Sequence, residues 1–157
     1  MALFTLVATT RAFAGEALVG IGYEKVILDS RPTIDLEVRS SPVWQPSPFG
    51  IEIPTRWGGA FQINSDNDLW AGLGVTGETA LPAEFRAEVA FFVGAYSQGD
   101  GTDLGGTFPM IRTKLGVSRA VSGPWRVGAS VSHKSNAGTD SRNPGSESFL
   151  LQVYRAF

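Results

Sequence analysis

His133-Lys134-Ser135-Asn136-Ala137-Gly138, followed by Asn143-Pro144-Gly145 and Glu147, holds the residue types a serine hydrolase needs. A serine is a nucleophile only when a base takes its proton, and the base works best when an acid fixes its tautomer. His133 is the only histidine among 157 residues. Ser135 lies two positions further on, and residues at i and i+2 of a strand share a face about 6.5–7 Å apart. Glu147 follows a turn-rich stretch and can stand opposite His133 if the two flanking segments pair as a hairpin, with Cβ atoms about 4.5–5.5 Å apart. Asn136, Asn143 and the glycines supply N–H donors that suit a tetrahedral oxyanion. Taken singly, each piece has a bland reading: a surface histidine in a hairpin tip, and Asn-Ala-Gly or Asn-Pro-Gly as turn chemistry.

Such groups must be carried by something rigid. Composition points to strands: 19 glycines, 10 Phe, 4 Trp and 3 Tyr with a mean hydropathy of +0.02 suit tightly curved sheet better than helix. The length fits one domain. A net charge of −2 gives no sign of nucleic-acid binding. Cysteine is absent, which excludes a disulfide framework and thiolate metal sites, and a lone histidine argues against zinc. No cofactor is expected.

Residues 1–14 read as the end of a secretory signal, apolar from Ala2 to Ala8 and closing on an Ala12-Phe13-Ala14 cleavage pattern. Residues 15–157 then form the functional domain. No apolar run approaches the ~20 residues of a membrane helix.

Seven segments alternate apolar and polar with period two, and a weaker one spans about Ala17 to Lys25. The clearest runs from Phe85 to Tyr96, and others are centred on Leu36, Phe61, Leu73, Leu115, Ala129 and Leu151. One face is apolar and nearly free of charge; the other mixes Arg, Glu, Asp, Lys and Gln with glycine. A soluble barrel points charge into water, whereas a narrow membrane barrel encloses it, because a lipid-facing Arg or Lys costs roughly 2–4 kcal/mol at mid-bilayer. The expected fold is therefore all-β, an eight-stranded antiparallel transmembrane barrel. Phe157, with Tyr154 nearby, resembles the C-terminal aromatic signal of outer-membrane barrels. Residues 43–55, long and proline-rich where a short periplasmic turn belongs, are expected to form an irregular connection or an interface contact.

With both termini periplasmic, the connection between strands seven and eight lies at the cell surface. His133 and Ser135 share the parity of Val127, Ala129 and Val131; Glu147 shares that of Phe149, Leu151 and Val153. All three are thus expected on the outer wall near the outer leaflet, where polar groups are costly without a purpose. The substrate would be a membrane lipid.

His133-x-Ser135-Asn136-Ala137-Gly138, then Asn143, Gly145 and Glu147-Ser148, resembles the pattern of the outer-membrane lipid A 3-O-deacylases, and the spacing from histidine to glutamate matches. Leu104-Gly105-Gly106-Thr107-Phe108 is similar to a Leu-Gly-x-x-Phe element of that family. The specific match covers about the last third of the chain; Pro144 and the 43–55 stretch depart from the pattern. The resemblance implies an eight-stranded barrel with its site on the outer wall, hydrolysing the ester at the 3 position of lipid A and releasing a 3-hydroxyacyl chain without a metal. Lipopolysaccharide would be the substrate and the bacterial outer membrane the location. Ser135 would be nucleophile, His133 general base and Glu147 its orienting acid; Asn143 and the Gly138 backbone would serve the oxyanion, and Asn136 would support them. Lys134 and Arg142 are candidate contacts for lipid A phosphates.

Two other readings predict different things. A non-enzymatic small outer-membrane barrel, acting in adhesion or envelope structure, has no need of His133. A soluble lipid-binding barrel would place Phe91, Leu115 and Val131 inside.

Overall fold

A computed structural model describes residues 15–25, 29–101 and 103–157; the candidate leader at 1–14 lies outside them. Eight strands run in order: β1 (Glu16–Glu24), β2 (Arg31–Trp44), β3 (Thr55–Asn64), β4 (Leu69–Ala80), β5 (Phe85–Ser97), β6 (Met110–Ser122), β7 (Trp125–Ser135) and β8 (Ser146–Ala156). Each pairs antiparallel with its neighbours, and β1 pairs with β8 to close the barrel. Closure leaves no unpaired edge, as a bilayer requires of any spanning sheet.

The two faces sort as the alternation predicts. Along β5, Val89, Phe91 and Val93 are exposed while Glu88, Ala90, Phe92 and Tyr96 are buried. Leu115, Val131, Phe149 and Tyr23 stand in one cross-strand row from β6 to β1, all on the outside. Leu115 is 60% and Val131 52% exposed, which excludes the soluble barrel, whose core these side chains would have formed.

The interior is filled. Arg39, fully buried, reaches Glu37 at 2.7 Å, Glu88 at 3.0 Å, Glu78 at 3.2 Å and Glu16 at 3.3 Å. Lys114 bridges Glu37 and Glu88, and Arg126 bridges Glu16 and Glu78. Such a network is self-consistent only as a whole, since removing one partner leaves a buried charge uncompensated. Nearer the end that carries the β5–β6 and β7–β8 loops, Ala60, Trp70, Ala90, Phe92, Tyr96, Leu104 and Met110 form an apolar plug.

Three details add to what the alternation gives. Tyr154 turns inward, its ring stacked under Arg126 with 4.6 Å to the centroid, while Phe157 is exposed. An odd separation of three places the two aromatics on opposite faces, so only Phe157 can meet lipid or headgroups. β2 runs on to Trp44 through register shifts at Arg39/Pro42 and Pro42/Trp44. Proline has no N–H for the ladder, and bulges are where sheets accommodate it. The stretch that follows is ordered: Pro48–Gly50 makes one 3₁₀ turn, Ile53 N–H bonds Pro46 O at 2.9 Å, and Glu78 N–H bonds Pro54 O at 3.1 Å.

Candidate active site

β7 and β8 pair through Val131↔Phe149, Ser132↔Ser148, His133↔Glu147 and Lys134↔Ser146. The register therefore extends to the top of the hairpin and sets the imidazole directly across from the carboxylate. His133 Nδ1 and Glu147 Oε1 lie 3.0 Å apart, with the side chains 49% and 55% exposed on the outer wall. With Nδ1 committed to Glu147, Nε2 is the nitrogen available to a serine. Ser135 is on the same face two residues further, where β7 still pairs with β6 at Ile111. His133 and Glu147 are brought into contact. Ser135 and the imidazole are neighbours by face and spacing, without a hydrogen bond between them among the described residues.

Asn136 is buried, and its amide is spoken for. Its Nδ2 donates to Leu104 O at 3.2 Å, to Arg142 O at 2.6 Å and to Gly105 O. Its Oδ1 accepts the Gly138 N–H at 2.9 Å, and its own N–H donates to Asn143 Oδ1 at 3.1 Å. One side chain thus clasps the β5–β6 loop to the β7–β8 loop immediately after Ser135. Leu104, whose carbonyl it holds, is itself buried in the apolar plug. Gly105 lies in the left-handed region at φ +71, and a Cβ there would come within 1.8 Å of Arg142 O. Glycine is required for that approach. This tertiary contact accounts for the Leu104-Gly105 element, which sequence reading noticed without finding its partner.

Asn143 is exposed; with Oδ1 turned to the Asn136 N–H, its NH₂ end remains a donor. The Gly138 N–H is already engaged by Asn136. Arg142 is exposed at the rim and paired with Asp103 at 2.6 Å. The exposed Asp140 carboxylate accepts the Arg142 N–H at 3.2 Å and the Ser141 hydroxyl at 3.1 Å. These bonds hold its pKa below the ordinary carboxylate range, and they shape the loop tip.

Lys134 does not stand where its chemistry suggested. It is 1% exposed and points into the lumen, with Nζ 2.7 Å from Glu24 and 5.9 Å from the Tyr96 ring centroid. Adjacent strand residues face opposite ways, so a lysine next to an outward histidine must point inward. It cannot meet a headgroup.

The comparisons with known proteins agree with this architecture. The solved structure of the outer-membrane enzyme PagL superposes with a TM-score of 0.72 at 18% identity, covering 90% of this chain and 99% of that one. Neisserial surface protein A aligns at 0.60 and 12% identity, covering 93% and 97%. The Yersinia pestis outer-membrane protein Ail aligns at 0.52 and 11%, covering 91% and 99%. At these identities the likeness concerns the fold alone. Among curated proteins, no sequence gives a significant match. The family model for lipid A 3-O-deacylase (PagL), by contrast, matches residues 40–154. That span takes in β3 to β7, the end of β2 and nearly all of β8, with the loop that carries the motif, and the chain belongs to the lipid A 3-O-deacylase (PagL) family, an outer-membrane β-barrel.

Proposed function

We propose that this protein hydrolyses the 3-O-linked acyl ester of lipid A in the outer leaflet, using Ser135, His133 and Glu147 on the outer wall of the barrel. The observation that carries the reading is the 3.0 Å His133–Glu147 pair exposed beside Ser135, immediately above an apolar row, in a member of this family. A hydrogen-bonded, half-exposed imidazole and carboxylate on a wall otherwise suited to lipid have a physical rationale if the bond to be cut is presented from the membrane.

In this reading Glu147 holds the Nδ1–H tautomer, and Nε2 takes the Ser135 proton as Oγ attacks the ester carbonyl. The tetrahedral oxyanion is met by the Asn143 NH₂; the Gly138 N–H can join only by sharing its bond with Asn136. Collapse breaks the bond to the sugar oxygen, which leaves with the proton from His133. Water then attacks the acyl-serine, giving one proton to His133 and, through it, back to Ser135, and a 3-hydroxy fatty acid departs. The acyl chain lies along Val131, Phe149 and Leu151, already at home in hydrocarbon, so little desolvation opposes its binding. Arg142 is placed at the rim, where a phosphate of the lipid headgroup can compete with Asp103 for its guanidinium.

The test is the lipid A mass spectrum from cells expressing the protein. Loss of the mass of one hydroxyacyl chain is expected, and Ser135→Ala should abolish it. An unchanged spectrum with wild-type protein would leave a non-enzymatic barrel.

A further inference from the structure

Glu147 restrains one edge of the His133 ring, and Gly145 closes in on another. Gly145, the last residue before β8, has φ +69, and a Cβ built on it would stand 2.7 Å from His133 Cε1, 3.4 Å from Nε2 and 3.5 Å from Lys134 O. Carbon atoms in good contact sit about 3.5–4.0 Å apart, so a methyl group at 145 and the imidazole cannot both keep their places. The backbone that follows Gly145, and the β7 backbone that carries the ring, are pinned by the Lys134↔Ser146 and His133↔Glu147 pairings. The half-exposed ring is the part free to yield. Cε1 lies between the two ring nitrogens, so pushing there swings both of them at once.

We propose that Gly145 is a positioning residue of the site: its bare Cα forms the wall on which the imidazole edge rests, keeping Nδ1 on Glu147 and directing Nε2 along β7 toward Ser135. The inference rests on the reading of His133 as general base and adds a constraint to it. A left-handed φ alone would also select glycine, so the proposal must be separated from backbone strain. Two substitutions do this. Gly145→Asn tolerates the left-handed region but still carries a Cβ. Gly123→Ala introduces comparable strain at φ +53 in the β6–β7 turn, at the opposite end of the barrel, with nothing within 4 Å of the added atom.

The experiment uses the full chain folded in detergent and labelled with ¹⁵N-histidine. Because His133 is the only histidine, the imidazole spectrum reports this ring alone. Wild type and Gly123→Ala should show the same Nδ1-protonated, hydrogen-bonded signature and the same deacylation kinetics. Gly145→Ala and Gly145→Asn should lose that signature, and kcat on purified lipid A should fall on the order of 10²-fold, as for a misplacement of about 1 Å, with KM little changed. A Gly145→Asn protein that keeps the wild-type spectrum overturns the proposal, even if its activity falls through some change in the loop. If the wild type shows no deacylation, the hydrolase reading fails, and the spectra still decide whether Gly145 holds the ring.

Discussion

His133 and Glu147 are directly paired cross-strand neighbours, and their side chains meet at 3.0 Å on the outside of the barrel. The hydrogen bond is a product of strand register: a shift of one residue in β8 would send the carboxylate into the lumen.

Replacing Glu147 by Gln keeps the shape but loses the charge that favours the Nδ1–H tautomer and stabilises the imidazolium. We expect kcat for lipid A deacylation to fall by about 10³–10⁴-fold, in the range of acid removal from other triads. Heat-modifiable mobility on gels should be unchanged, showing an intact barrel. A loss of less than tenfold would show that the carboxylate does not orient the base.

Lys134→Met should spare catalysis and harm stability. It takes from the buried Glu24 carboxylate its cation and leaves only the neutral donors Asn64 and Ser146, at a cost of about 3 kcal/mol, while nothing on the outer wall changes. Guanidinium unfolding in detergent measures the first effect and deacylation kinetics the second. The double variant Lys134→Met with Glu24→Gln should recover part of the stability. A large rise in KM for Lys134→Met alone would contradict the inward placement.

Asn136→Asp should be at least as damaging as Asn136→Ala. The aspartate cannot donate to the carbonyls of Leu104, Gly105 and Arg142, and it sets a negative charge among them. Each buried carbonyl left unpaired costs about 1–3 kcal/mol. Limited proteolysis should therefore reveal cleavage in the β5–β6 and β7–β8 loops of both variants, together with reduced deacylation. Wild-type protease resistance in Asn136→Asp would remove the clasp from the account.

Arg39→Met deletes the cation shared by Glu16, Glu37, Glu78 and Glu88. A destabilisation of about 3–5 kcal/mol or more is expected, read as a lower guanidinium midpoint or a failure to show heat-modifiable mobility. A midpoint equal to wild type would mean that the interior ion pairs do not support the barrel.

Period-two alternation was enough to read eight strands, their faces and the outward side of His133 and Glu147, because sheet geometry has only two sides and lipid penalises charge on one of them. The same rule already placed Lys134 inward; expecting it at a headgroup followed its charge and ignored its parity. Tyr154 obeys the same alternation: it shares the parity of Leu150 and Gln152, and its ring lies inside with them. Other features have no local signature. The partners of Asn136 lie some 30 residues upstream, and a contact between loops leaves no periodicity to detect. Gly145 looked like turn chemistry, and only the packing of the ring against it distinguishes a wall from a bend. The 43–55 stretch was opaque because its order comes from backbone bonds that irregular, proline-rich sequence does not announce.

Side chains of Arg39, Arg112, Lys114, Trp70, Phe92 and Tyr154 are packed inside the cylinder. The hydrolysis proposed for its rind asks nothing of that interior, since ester and fatty acid would both stay on the hydrocarbon side of the wall. The proposed lipid chemistry and the charge-filled interior are thus kept apart by the thickness of one sheet.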